Sequence, residues 1–327
     1  MKDYRAPGWL PGSGAVGGNL QTIWPALLSR RFEGIPPSFT RERWTTPDGD
    51  FIDVDFQLAP AAEAPWLVLF HGLEGSSQSH YALAFADWAR HRGWAFVVPH
   101  FRGCSGELNL APRAYHSGDY EEVGWVLERL RARSGGPLAA VGVSMGGNAL
   151  LRWAEEAGDK AAGTARCVAA VCSPVDLAAG GQAIGRGFNR LVYTRMFLDT
   201  MRPKALRKLQ QHPGLFDREK MLAARTLYEF DNLFTAPLHG FRDTEDYWAR
   251  ASAKPQLHRI RIPALVLNAR NDPFVPAASL PVATEVGPWV TLWQPAHGGH
   301  VGFPAGYLPG HLAALPEGVM GWVFERS

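Results

Sequence analysis

Cysteine is scarce in this chain: Cys104, Cys167 and Cys172 are the only three in 327 residues. Three cannot build a paired disulfide framework, and no C-x-x-C pair is present for zinc or dithiol chemistry. Asn-x-Ser/Thr acceptors for N-glycans are missing altogether. No apolar run approaches the ~20 residues that span a bilayer. The first twenty residues hold no continuous apolar stretch of the kind a secretory signal needs. Charge of one sign is lacking too, with 33 Lys and Arg against 31 Asp and Glu, a net of +2. Such a balance carries no footprint for nucleic acid. A cytoplasmic protein with no nucleic-acid partner and no integral membrane segment is expected. A monomer is the favoured state. The slightly basic chain leaves room for transient membrane contact, although nothing reaches the charge density of a surface-binding helix.

What is present suits a globular enzyme. Hydrophobic residues make up 46% and charged residues 20%, which rules out disorder as the main state. The length exceeds one minimal domain and fits an α/β domain of about 250 residues with an insertion. Up to about Pro37 the chain is rich in Gly and Pro and reads as an arm with one short helix near Gln21–Leu28. Phe39–Thr46 and Phe51–Leu58 flank Pro47-Asp48-Gly49-Asp50, the pattern of a β-hairpin. Trp66–Phe70, Trp94–Pro99, Leu138–Val143 and Cys167–Cys172 are short apolar runs, as in strands buried on both faces. Helical spacing separates them at Ser79–Arg92, Asp119–Arg133 and Met145–Ala157. This alternation predicts a mostly parallel central sheet with helices on both faces. It stops between about Leu177 and Lys254, a helical stretch rich in Arg and aromatic residues. It resumes with strands at Ile262–Ala269 and Val290–Gln294 and a last helix near Tyr307–Glu325. The expected layout is one α/β domain over 1–327, with an N-terminal arm over 1–37 and a helical cap insertion over 177–254.

The chemistry centres on Gly142-Val143-Ser144-Met145-Gly146-Gly147, a G-x-S-x-G between a predicted strand and a predicted helix. That context projects a serine from a sharp turn, with small neighbours on either side and a helix N-terminus beneath it. A serine hydroxyl is a weak nucleophile and needs a base and an orienting acid, which this architecture supplies in the order Ser, acid, His. The candidate acid is Asp272, directly after the strand Ile262–Ala269, while Asp176 after the preceding strand reads as a helix cap. The base lies in His297-Gly-Gly-His300, where two histidines compete. As a metal pair these two lack nearby partners. The oxyanion hole should use the backbone N–H of Met145 and that of Leu73, in the loop His71-Gly72-Leu73-Glu74-Gly75. Gly12-Ser-Gly14-Ala-Val-Gly17 fits G-x-G-x-x-G only formally: no strand precedes it, and it reads as a loop. Neither a metal nor an organic cofactor is called for by this chemistry.

Together these residues resemble the α/β-hydrolase superfamily and, more narrowly, its YheT-like branch, the AB-hydrolase 4 group. Further pieces carry the resemblance along nearly the whole chain: Asn19-Leu-Gln-Thr-Ile, Thr46-Pro-Asp-Gly-Asp-Phe, Arg102-Gly-Cys, Tyr115-His-Ser-Gly, Glu229-Phe-Asp231, Thr235-Ala-Pro, Gly240-Phe, Asp246-Tyr-Trp and Gly298-Gly-His-Val-Gly-Phe. One departure is Gly18-Asn19, where the family pattern has Gly-His. The resemblance implies esterases or lipases of acyl substrates, with Ser144, Asp272 and His300 at the triad positions. Within the insertion, Phe188, Phe197, Phe234 and Phe241 are candidates to line an acyl pocket, which would favour short- to medium-chain esters. Two alternatives stay open: an acyltransferase using the same triad, and a non-catalytic ligand-binding relative.

Overall fold

In the computed structural model, residues 1–12 and 14–326 are described. The apolar runs pair into one sheet: β1 Thr40–Thr45, β2 Phe51–Gln57, β3 Trp66–Phe70, β4 Ala95–Pro99, β5 Leu138–Val143, β6 Cys167–Val171, β7 Ala264–Leu267 and β8 Val290–Trp293. The spatial order is β1-β2-β4-β3-β5-β6-β7-β8. β2 runs antiparallel to both neighbours and every other pairing is parallel. Every strand expected from the sequence is present, trimmed at the ends by up to two residues.

The period-two alternation of each central strand splits the core in two. Trp66, Val68 and Phe70 of β3 join Leu127, Leu130 and Leu150 on one face. Leu67 and Leu69 join Phe85, Met320 and Trp322 on the other. The first face is covered by α3 (Tyr120–Arg133) and α4 (Met145–Ala157), the second by α2 (His80–His91) and the C-terminal helix Ala314–Phe324. Burial on both faces is what makes these strands read as continuous apolar runs.

Two helices differ from expectation. The first, α1, spans Gly14–Leu27 and starts well before Gln21. Gly14 and Gly17, read as part of a loop, lie in its first turn; Ser13 falls outside the described residues. Glycine weakens an isolated helix, but here the small residues allow contact: a Cβ on Gly18 would lie 2.0 Å from the Asn271 carbonyl oxygen. Tertiary packing overrides propensity. The last helix is shorter than expected because Gly310 adopts a positive φ, 83°, and breaks the run before Ala314.

Between β6 and β7 the chain forms the helical insertion. It opens with α5 (Leu177–Ile184) and continues through Arg195–Gln211 and Thr244–Ala251, with π-helical turns at Arg190–Thr194 and Asp231–Thr235. Polar contacts fix it to the sheet layer. Asn148 on α4 donates to the carbonyls of Ser117 (2.7 Å) and Ala251 (2.8 Å) and accepts from the Ala253 amide (3.0 Å). Lys208, buried, donates to the Asn109 and Ala111 carbonyls in the loop beyond β4. Asp176 caps α5 by accepting from the Ala179 amide at 3.0 Å.

Candidate active site

β5 ends in a turn so sharp that Ser144 takes φ 53° and ψ −121° before α4 begins at Met145. A left-handed φ on a serine stores on the order of 1–3 kcal/mol, which surrounding packing must offset. That packing is backbone against backbone. A Cβ on Gly146 would sit 2.4 Å from the His71 carbonyl oxygen, and one on Gly142 would sit 2.5 Å from the Gly146 oxygen. The G-x-S-x-G glycines are there for close approach as well as for the turn.

Asp272 follows β7 and His300 follows β8, and both reach the Ser144 turn. Ser144 Oγ lies 3.0 Å from His300 Nε2, and His300 Nδ1 lies 2.8 Å from Asp272 Oδ2. The other Asp272 oxygen accepts from the amides of Phe274 (2.7 Å) and Val275 (3.2 Å), so the carboxylate is buried but fully engaged. The Phe274 ring stacks on the imidazole at 4.1 Å between centroids. His297 stands apart from the serine, with its Nδ1 near the Ala6 amide. A hydroxyl bonded to an imidazole whose far nitrogen meets a buried carboxylate can be deprotonated as it attacks a carbonyl carbon.

Two backbone donors stand beside this relay. The Gly72 amide donates to Tyr81 Oη and the Glu74 amide to Tyr115 Oη, at 2.9 and 3.1 Å. Between them, Leu73 N–H has no acceptor among the described residues, and neither has Met145 N–H at the start of α4. Unpaired N–H groups lining a cavity beside a serine are suited to an oxyanion. His71 shapes the Leu73 loop. Its Nε2 accepts from the Phe101 amide (3.1 Å), so Nδ1 carries the proton and donates to the Gly72 carbonyl (2.7 Å).

Burial holds His71 neutral, its pKa pushed down to about 3, and pushes His80 and His116 down to about 4. Each is below the unfolded value of about 6.5. The unfolded chain therefore binds more protons below that pH, and stability is lost as pH falls. Each such histidine costs up to about 1.4 kcal/mol per pH unit over this range. Thermal melts from neutral pH down to about 4 should show a falling Tm, and a flat Tm would contradict the assignment.

Ser144, Met145, Leu73 and His300 open onto a cavity of about 1160 Å³, counting the part continuous with solvent. Its walls are mainly apolar, with Phe197, Met201, Phe230 and Phe234 from the insertion. Of the four aromatic candidates, Phe197 and Phe234 line it and two do not. Phe188 is exposed, and its ring meets Tyr193 edge-to-face. Phe241 is taken up by His116 and Tyr247 at the insertion's base. Sequence reasoning missed Phe274 and a polar element: Lys204 pairs with Glu74 at 2.8 Å on the cavity wall. Cys172 Sγ, Asp272 and His300 bring three donor atoms within 4.8 Å. Both His300 nitrogens are already engaged, and burial pushes the Cys172 thiol up, so this sulfur is a packed thiol behind the pair.

Residues 65–307 match the family described as alpha/beta hydrolase fold. The chain belongs to the α/β-hydrolase family. It is similar to "Putative esterase YheT" of Escherichia coli, 40% identical over 306 residues that cover 92% of this chain and 88% of that protein. It is also similar to phospholipase ABHD3 of Mus musculus, 32% identical over 84% of this chain and 68% of that one. Among solved α/β-hydrolases, mouse alpha/beta hydrolase domain-containing protein 10 superposes with a TM-score of 0.55 at 15% identity, covering 88% of this chain and all of that chain. The Pyrococcus furiosus esterase Pf2001 gives 0.52 at 17% identity, over 91% and 96% of the two chains. At these identities the likeness is one of fold. Among the described residues no helix of this α/β-hydrolase is long and apolar enough to cross a membrane.

Proposed function

We propose that this α/β-hydrolase is a serine hydrolase of carboxylic esters that works through an acyl-enzyme on Ser144. The observation that carries the reading is the unbroken relay from Ser144 Oγ through His300 to buried Asp272, beside two unpaired amides. Ser144 Oγ attacks the ester carbonyl carbon while His300 Nε2 takes the hydroxyl proton. Asp272 holds the tautomer and stabilises the imidazolium. The oxyanion rests on the Leu73 and Met145 amides, each contributing about 3–4 kcal/mol in the transition state. His300 then gives its proton to the leaving alkoxide. A water, deprotonated by His300, attacks the acyl carbon and releases the acid with Ser144 regenerated. Relatives named as an esterase and a phospholipase favour an ester substrate.

The insertion acts as a cap that supplies the acyl site. Its mainly apolar walls suit an acyl chain, and we read the site as one for short to medium chains. In a p-nitrophenyl ester series, turnover should peak between butyrate and octanoate and fall at palmitate. Phe197→Ala, which removes a ring from the wall, should move the peak to longer chains, since each methylene accommodated is worth about 1–3 kcal/mol. Equal rates for every chain length would remove the acyl-site reading. Product analysis with added methanol separates hydrolysis from acyl transfer: free acid as the main product supports the hydrolase, and methyl ester as the main product favours the transferase.

A further inference from the structure

The base and the acid both sit on loops outside the sheet, and the strand before His300 is an edge. β8 pairs only with β7, and its residues are half-buried. Among the described residues no further strand pairs with β8 to steady the loop that follows it. The N-terminal helix packs against that loop instead. Thr22 Oγ accepts from the His300 amide at 2.9 Å and donates to the Gly18 carbonyl at 2.8 Å. Gln21, with no exposed surface, ties both loops through one side chain. Its Oε1 accepts from the Gly298 amide (2.7 Å) and from Asn271 Nδ2 (3.0 Å), while its Nε2 donates to the Pro11 carbonyl (2.6 Å). Asn271 precedes Asp272, and its Oδ1 accepts from the Gly299 amide at 3.0 Å. The surfaces interlock at backbone distance: a Cβ on Gly302 would lie 1.8 Å from the Gln21 carbonyl oxygen. The helix also reaches the insertion. Tyr193 Oη donates to Asn19 Oδ1 at 2.7 Å, and the Tyr193 ring meets Phe274, which stacks on His300.

We propose that Thr22 and Gln21 are positioning residues: α1 is a clamp that holds the His300 and Asp272 loops in register with Ser144. This rests on the reading of Ser144, His300 and Asp272 as the catalytic relay. Neither residue touches Ser144, so their effect passes through the backbone of His300 and its neighbours. The hydrogen bond from the His300 amide fixes where the imidazole starts, and a displacement of about 1 Å is enough to cost a factor of about 10² in turnover.

The test compares Thr22→Val, Thr22→Ala and Thr22→Ser with the unaltered full chain on p-nitrophenyl butyrate. Rates are normalised to the fraction of sites titrated by a fluorophosphonate. Val keeps the shape without the acceptor, Ala removes both, and Ser restores the hydroxyl. Expected are a kcat per titrated site lowered by about 10–100-fold in Val and Ala, KM within about twofold, and recovery in Ser. Amide exchange of the peptide containing His300 should quicken in Val and Ala only. Should Val fold poorly, Ala and the exchange measurement carry the test. Wild-type kcat per site in Val and Ala, or a loss in Ser equal to theirs, overturns the clamp while leaving the relay standing. An unaltered protein that neither titrates nor turns over ester overturns the relay itself, and the clamp with it.

Discussion

Replacing Ser144 with alanine is expected to lower kcat on an activated ester by a factor of about 10⁶, the loss seen when a triad nucleophile is removed. The substitution takes away one atom, Oγ. Alanine keeps the Cβ, so the strain at φ 53° is unchanged and the glycine contacts around the turn persist. The lost hydrogen bond to His300 is worth only about 1 kcal/mol net. Tm should therefore stay within a few degrees while activity vanishes. Steady-state hydrolysis of p-nitrophenyl butyrate and a thermal melt check both halves. Near-wild-type turnover in Ser144→Ala would end the acyl-enzyme mechanism.

The second large effect is expected at Asp272. Asp272→Asn should reduce kcat by about 10⁴ with the fold retained. The effect depends on which atoms accept. In the native turn one carboxylate oxygen takes the Phe274 and Val275 amides and the other faces His300 Nδ1. An asparagine keeps its single oxygen on the two backbone donors and turns its NH₂ toward His300. Nδ1 must then accept, the proton moves to Nε2, and Nε2 can no longer take the Ser144 proton. A kcat loss at unchanged KM, measured on the same ester, is the expected signature. A loss confined to KM would mean that Asp272 acts on binding alone.

Much of this was legible in the sequence because it is local. The apolar runs of β3 to β7 carry their own burial, and the strand–G-x-S-x-G–helix pattern encodes a turn whose geometry is largely steric. Asp272 is a candidate from sequence because a carboxylate at the C-terminal end of a strand sits where open α/β sheets place their sites, and the fold brings it to His300. The choice between His297 and His300 is not local, since both share one glycine-rich loop; in the sequence only the family resemblance favours His300, and the fold places His300 on Ser144 and His297 beside Ala6. The same limit explains Phe188 and Phe241. An aromatic residue in an insertion reads alike whether it lines a cavity, packs the base or faces solvent.

The motif pieces that gave no role in the sequence became structural once folded. Arg102, buried, bonds Asp48, Asp50 and Glu122, and so joins Arg102-Gly-Cys to Thr46-Pro-Asp-Gly-Asp. Asp231 accepts from Thr235 Oγ and Trp248 Nε1, joining three pieces of the insertion at the cavity wall. Asn19-Leu-Gln-Thr-Ile bonds the loops that carry Asp272 and His300 through Gln21 and Thr22, and Asn19 is where it meets Tyr193. These links run between residues up to 278 positions apart, as from Thr22 to His300, and no window of sequence contains them.

The most direct test of the mechanism is covalent capture. The protein is incubated with diethyl p-nitrophenyl phosphate, which phosphorylates an activated serine and releases nitrophenol, and the digested peptides are weighed. One diethylphosphoryl group on the peptide containing Ser144 is predicted, with equal loss of ester turnover, no label in Ser144→Ala and slow labelling in His300→Ala. An unlabelled Ser144 in protein that still hydrolyses ester, or a label elsewhere that tracks the lost activity, would contradict the account.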